Sequence, residues 1–404
     1  MGTTTRSKAA LRDSIVAVLG VILIAANTRS AVSGLSPIYD IVSKDVPLGL
    51  DARAILGSLP PIGFVLGGLL TPRLTKRIGL EWNLVALIGT ITLGHIVRSL
   101  ATDWTVLALG SAIALIGSGM GNVSLPPTIK KYFPNHIGTM SAAYITCVSL
   151  GSVIPPLIAV PLSDATSWRI TMFLWAVIAA TALIPWFVEI RTQHSNPAAR
   201  DTTHGVRLNL VKSKTALAIA ISFSVSSITG YGMYAWLPDI AKELAHMTEV
   251  EGGLMLSLFA FAGTPMALAM PILAARVKNI GWLTMFGGLL IIVGFTAMNF
   301  FPTVAPYVWT VLFGAGPLLF PMSLALINLR TQSTSASLQL SSFVQTIGYG
   351  IAATVPPLMG IARAFSGSWN LALIGLALTG FGAIWSAIVL SRNNTVEAEL
   401  ANPF

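Results

Sequence analysis

Long runs of apolar residues, cut at intervals by small clusters of charged and turn-forming residues, dominate this chain. Runs without Asp, Glu, Lys or Arg cover 54–72, 82–97, 104–129, 137–163, 170–188, 215–238, 252–275, 279–329, 331–362 and 364–391. One more run, 14–39, is interrupted only by Arg29. About 20 apolar residues, rising about 1.5 Å each, carry a helix across the roughly 30 Å hydrocarbon core of a bilayer. Each run therefore predicts one crossing, except that 279–329, at 51 residues, holds two, with Pro302 and Pro306 at the turn. The pattern predicts an all-α membrane protein with twelve transmembrane helices.

Composition and charge sharpen this picture. Only 10% of the 404 residues are charged and 54% are apolar, against about 25% charged in a soluble domain. The net charge of +9 raises the question of nucleic acid, but its distribution answers it. With the N-terminus inside, cytoplasmic segments hold 17 Lys and Arg and outer segments six, among them Arg98. That asymmetry is the positive-inside rule, so the basic balance is topology, the lipid bilayer is the partner, and nucleic acid is not. Both termini are assigned to the cytoplasm. A basic N-terminus (Arg6, Lys8, Arg12) before an apolar run also suits a signal peptide. The run is too long and contains Arg29, so it is read as the first span. Cys147 is the only cysteine and lies inside a span, which excludes an internal disulfide.

The polar stretch 191–213 divides the spans six and six. The expected organisation is a bundle over 1–190, a cytoplasmic linker over 191–213 and a second bundle over 214–404. Internal matches support a duplication. Pro155-Pro156 recurs as Pro356-Pro357 and Trp168 as Trp369, both at an offset of 201. Ile78-Gly79 recurs as Ile280-Gly281 at 202, and Trp82 as Trp282 at 200. Parallel repeats of this kind build transporters that bind solute near the membrane midplane.

Several segments then carry a resemblance. They are Asn27-Thr28-Arg29-Ser30-Ala31-Val32 in the first span and Gly121-Asn122-Val123 through Pro126 to Ile129-Lys130 in the fourth. Others are Trp236-Leu237-Pro238, Asn328-Leu329-Arg330-Thr331 and Gln345-Thr346-Ile347-Gly348-Tyr349. In this order the chain resembles the major facilitator superfamily nearly end to end, and within it the cyanate and 2-nitroimidazole transporter branch. The resemblance implies a fold of two pseudo-symmetric six-helix bundles, a first helix that lines the solute path, and residence in a bacterial inner membrane as a monomer. One departure stands out. After Gly68 the superfamily's loop usually carries an Asp, and here Pro72 takes its place, while Arg73, Lys76 and Arg77 keep the basic part. A gate salt bridge through that Asp is therefore not expected.

Arg29 is the candidate of most chemical consequence. Counted along 14–39 it lies within roughly 4 Å of the midplane, where an arginine costs at least about 3 kcal/mol. No Asp or Glu lies deep in a predicted span: Asp40, Asp103, Asp164 and Asp239 fall at outer ends and Glu189 at an inner end. Its guanidinium must then be satisfied by neutral oxygens, water or a bound anion. A planar fork of donors suits a small planar oxyanion. The plain alternative is a structural network.

Further polar positions are candidates for the same path: Asn27, Asn122, Tyr144, Tyr231, Tyr234, Gln345 and Tyr349. Each has a bland reading too. Asn122 sits in a glycine-rich helix where close packing is the default. Trp236 suits an interfacial belt. Tyr231 and Tyr234 share a face at i,i+3, as do Gln345 and Tyr349 at i,i+4. Lys130 reads as a topology anchor or gate residue. A proton is the candidate coupling ion, with no mid-depth carboxylate to carry it. His95, Asp40, Asp239 or the solute itself remain as carriers.

These features favour a secondary transporter of a small anionic or polar planar solute. A drug-type exporter of neutral compounds on the same fold is the alternative. No nucleophile set, metal motif, phosphate loop or cofactor motif is present, so an enzyme is not expected. A sensor would need more soluble chain than the linker offers.

Overall fold

The computed structural model describes residues 2–35, 38–194 and 207–401. Among these the chain folds entirely into helices and connections, with no strand. Twelve crossing helices follow in order: α1 Gly2–Ser33, α2 Leu50–Ile78, α3 Leu80–Ser99, α4 Trp104–Tyr132, α5 Ile137–Ala165 and α6, split into Trp168–Thr181 and Leu183–His194. Then come α7 Lys214–Leu244, α8 Glu249–Arg276, α9 Gly281–Phe300, α10, α11 Thr334–Ser366 and α12 Asn370–Leu390. Helix α10 is also in two pieces, Pro306–Ala315 and Leu319–Leu329, joined by a 3₁₀ turn at Gly316–Leu318. Ten of the twelve are long and apolar enough by composition to cross a membrane. The other two, α5 and α11, are 29 and 33 residues long.

The predicted turn at Pro302–Pro306 falls between α9 and α10, as its prolines require. The prolines inside α2, α4, α7, α8 and α11 do not end their helices. One boundary departs from the sequence reading. Helix α1 stops at Ser33, and a short helix, Tyr39–Ser43, follows. Its apolar span is Ile15–Ser33, centred near residue 24. Arg29 thus lies about 7 Å beyond the centre of that span, toward its C-terminal end, and farther from the centre than the sequence count placed it.

The chain divides into two compact units. The first comprises residues 1–136, 143–206 and 333–342. Helix α4 runs through it, packed on α1, α2 and α3. Three glycines explain the closeness. A Cβ on Gly117 would stand 2.9 Å from the Leu87 carbonyl of α3, on Gly119 2.7 Å from Phe64 Cα of α2, and on Gly121 2.7 Å from Thr28 Cγ2 of α1. Small residues let membrane helices approach to backbone contact, which supplies the dispersion that apolar lipid cannot. The default packing reading therefore holds for these glycines. Two serines at the start of α11 bond into the same unit, Ser341 Oγ to the Val123 carbonyl at 2.9 Å and Ser342 Oγ to the Gly68 carbonyl at 2.6 Å.

The second unit comprises residues 137–142, 207–332 and 343–404. Its interior is aromatic: Phe295 stacks on Phe313 at 4.6 Å, and Phe223 meets Phe320 at 5.2 Å. Residues 391–401 tie together the end of this unit where α7 begins and α12 ends. Arg330 donates to Asn393 and, at 3.1 Å, to the Leu390 carbonyl. Glu399 accepts from Ser213 Oγ at 2.7 Å and from the Lys214 and Thr215 amides at 3.0 Å. It thereby caps the otherwise unsatisfied N–H groups that open α7. Partial burial pushes the Glu399 carboxyl up, but these hydrogen bonds prevail and hold it below its ordinary value.

Two outcomes are expected. Gly119→Ala forces backbone apart and lowers the melting temperature of the detergent-solubilised protein, by about 1–3 kcal/mol in stability. Gly89→Ala, where nothing stands within 4 Å, leaves it unchanged or raises it. A carboxyl with a depressed folded-state value stabilises above its unfolded value and ceases to as pH falls through the folded one. The melting-temperature gap between wild type and Glu399→Gln is therefore present at neutral pH and closes on acidification, as thermal unfolding across pH will show.

Candidate functional site

The eight candidate path residues divide evenly, with Asn27, Arg29, Asn122 and Tyr144 in the first unit and Tyr231, Tyr234, Gln345 and Tyr349 in the second. On α1, Arg29 is half-buried and its Cζ stands 5.3 Å from the centroid of the Phe64 ring of α2, within cation–π range. Asn27 is 4% exposed, and its Nδ2 donates to the Leu23 carbonyl at 2.8 Å. That bond turns its amide back on its own helix. Two residues on, Arg29 lies about 200° around the helix, so the two side chains do not share a face. Asn122 and Tyr144 are both buried.

In the second unit Gln345 and Tyr349 are buried. The Tyr349 ring is edge-on to Phe223 at 5.1 Å and to Tyr231 at 6.2 Å. Gly348 makes room for this cluster, since a Cβ there would stand 2.2 Å from Phe223. The cluster draws Tyr231 in but not Tyr234, which is 57% exposed and edge-on to Phe259 at 5.5 Å. The shared face expected for Tyr231 and Tyr234 is thus split between two neighbours.

The Trp236 indole donates to the Pro356 carbonyl at 2.9 Å and its ring lies 5.1 Å from that of Trp369. With Asp239, Lys242 and the Arg363–Glu243 ion pair of 2.8 Å, these indoles line a recess of about 500 Å³. Asp239 is exposed. The Asp40 side chain lies outside the described residues.

The basic residues behave as two groups. Arg73, Lys76 and Arg77 are exposed in the last turns of α2. Arg73 donates to its own helix at Leu69, 2.7 Å away, and none of the three forms an ion pair among the described residues. Lys131 pairs with Glu81 at the start of α3, 2.9 Å away, with both side chains 12% exposed. The Tyr132 hydroxyl donates to the same carboxylate at 2.9 Å.

Arg98, counted in the sequence only as a charge of an outer segment, turns its side chain inward. Arg98 is 2% exposed. Its Nε donates to Ser111 Oγ at 2.8 Å and its Nη2 to the Ala31 carbonyl at 2.9 Å. One turn earlier, His95 is fully buried with Nε2 3.4 Å from Ser30 Oγ. A cation at the end of an apolar run looks the same in sequence whether it turns outward or inward, so no local signal separated the two.

Two compact units of crossing helices, with polar and aromatic side chains buried inside the spans, describe a multi-pass membrane transporter. No group of three His, Cys, Asp or Glu among the described residues is placed to hold a metal. The Major Facilitator Superfamily profile matches residues 18–353, and the chain belongs to that superfamily of transporters, which are not enzymes. It is 28% identical over 370 residues to the 2-nitroimidazole transporter of Escherichia coli (strain K12), covering 91% of this chain and 93% of the relative. It is 26% identical over 362 residues to the cyanate transport protein CynX of the same organism, covering 87% and 91%. The proton:xylose symporter XylE bound to 6-bromo-6-deoxy-D-glucose is similar in fold, with a TM-score of 0.74 over 98% of this chain and 99% of that one at 13% identity.

The Lys131–Glu81 pair yields a direct test. Lys131→Ala and Glu81→Ala each lower the melting temperature, and the double variant falls little further than either, because the two share one interaction of about 1 kcal/mol. Arg73→Ala leaves the melting temperature unchanged.

Proposed function

We propose that this chain is a secondary transporter that moves a small, planar, polar or anionic solute by alternating access of two six-helix bundles, with Arg29 contacting the solute. One observation carries the reading: a half-buried guanidinium on α1, set over the Phe64 ring inside an apolar span. An arginine is kept in such a place where its planar donor fork has work to do, since the position costs free energy. The fork pairs with oxyanions and nitro groups through parallel hydrogen bonds. Of the solutes for which the two relatives are named, 2-nitroimidazole offers a pair of nitro oxygens to such a fork, and cyanate is a small anion that a guanidinium attracts by charge.

Phe64 adds an apolar, polarisable wall against which a flat solute can lie. The duplicated six-helix architecture, with its linker over 191–213, supports rocking of one bundle on the other. Protons are the candidate coupling ion, as in the fold neighbour named a proton:xylose symporter. The charge asymmetry supports cytoplasmic termini in a bacterial inner membrane.

A thermal-shift screen of purified wild type and Arg29→Ala against cyanate, nitrate, 2-nitroimidazole and imidazole tests the reading. One class is expected to raise the wild-type melting temperature and to do so at least about tenfold less potently in the variant, a loss of about 1.4 kcal/mol. A ligand that stabilises both proteins equally would show Arg29 to be structural.

A further inference from the structure

Among the described residues Arg98 has no carboxylate partner, yet it is almost wholly enclosed. What it holds is the outer end of α1. Ala31 is among the last four residues of that helix, whose carbonyls lack helical partners, and a cation is favoured there by the helix dipole. Ser111 completes the seat: its hydroxyl proton goes to the Leu107 carbonyl at 2.7 Å, leaving its oxygen to accept from Arg98 Nε. Gly110 leaves the space, since a Cβ there would stand 2.7 Å from the Arg98 nitrogen and 3.1 Å from its Cγ.

His95 grips the preceding residue. Ser30 Oγ gives its proton to the Asn27 carbonyl at 2.9 Å, and the same oxygen lies 3.4 Å from His95 Nε2. Helix α3 therefore holds two consecutive residues of α1, Ser30 by side chain and Ala31 by backbone. Two such holds fix both the rotation and the axial position of α1. At 3.6 residues per turn, about 200° separates Ala31 from Arg29, so the grip on one face turns Arg29 to the other, along with Ser33 one turn later. Stability alone does not explain an arginine here, because well-packed apolar side chains serve buried sites at least as well as charges.

We infer that Arg98, with His95 beside it, is a positioning residue that sets the rotation of α1 and thereby aims Arg29. The consequence for solute rests on the reading of Arg29 given above; the grip on α1 does not.

The test uses full-length protein in a Cys147→Ser background, with single cysteines at Ala31→Cys on the held face or Ser33→Cys on the Arg29 face. Maleimide labelling of purified protein is expected to be fast at position 33 and slow at position 31, following their burial. Arg98→Met should lower the ratio of the two rates by more than about twofold, and Arg98→Lys, which keeps one donor for the Ala31 carbonyl, should restore part of it. A ratio within about twofold of the parent overturns the grip whatever ligands do. Should Arg98→Met not be recovered as monodisperse protein, Arg98→Lys and Ser111→Ala carry the same comparison.

A second arm titrates 2-nitroimidazole and cyanate by thermal shift. Arg98→Met is expected to weaken whichever one Arg29→Ala weakens, by about tenfold, with partial recovery in Arg98→Lys. A changed labelling ratio with binding lost in Arg29→Ala but kept in Arg98→Met overturns the positioning role. A changed ratio with binding kept in both variants upholds the grip and removes the solute reading of Arg29.

Discussion

Inside a bilayer no solvent stands ready to receive a donor or acceptor that the fold leaves over, and this constraint organises the molecule. Small hydroxyl side chains in the spans answer it locally. Thr71, Ser111, Ser118, Ser124, Thr128 and Ser224 each return a proton to a carbonyl four residues back, at 2.7 to 2.9 Å. Asn27 does the same with its amide. Larger groups need a second helix, and two arginines of the first unit show how. Arg98 ends on a helix terminus and a serine, while Arg29 of α1 stands half-buried over the Phe64 ring of α2.

Most of the architecture was legible because run length is a physical requirement for crossing a membrane. The charge-free intervals located twelve helices, and the prolines at 302 and 306 located the one turn hidden inside a double-length run. What the run lengths could not give was the direction of side chains. Arg98 and Arg169 both close outer ends in the sequence. Only packing distinguishes them: Arg169 is exposed, lies over Trp168 at 4.3 Å and pairs with Asp45, whereas Arg98 points inward. The end of α1 at Ser33 was likewise hidden, because the apolar run continues past the point where the helix stops. At the candidate site, the types of residue were readable but their grouping was not. Tyr231 joins Tyr349, and Tyr234 turns away to Phe259, although spacing alone set the two tyrosines side by side.

The internal repeat survives in position more than in bonding. Trp168 opens α6 and Trp369 immediately precedes α12, each 2% exposed. Trp168 donates to Asp45 at 2.9 Å, an interaction that, ahead of the ion pair with Arg169, holds that carboxyl below its ordinary value. Trp369 instead lies against Trp236. The duplicated scaffold fixed where a large indole sits, and the two halves then found different neighbours for it.

The fourth and tenth helices mark the same divergence in mechanical form. Helix α4 is one unbroken rod of 29 residues. Its counterpart α10 is severed at Gly316–Leu318, and the Pro317 carbonyl is taken up by Ser226 of α7 at 3.2 Å. A continuous helix transmits a push along its length, whereas a jointed one absorbs it at the joint. Compliance is therefore distributed unequally between these two counterparts, and strain reaching α10 has a place to collect that α4 does not offer.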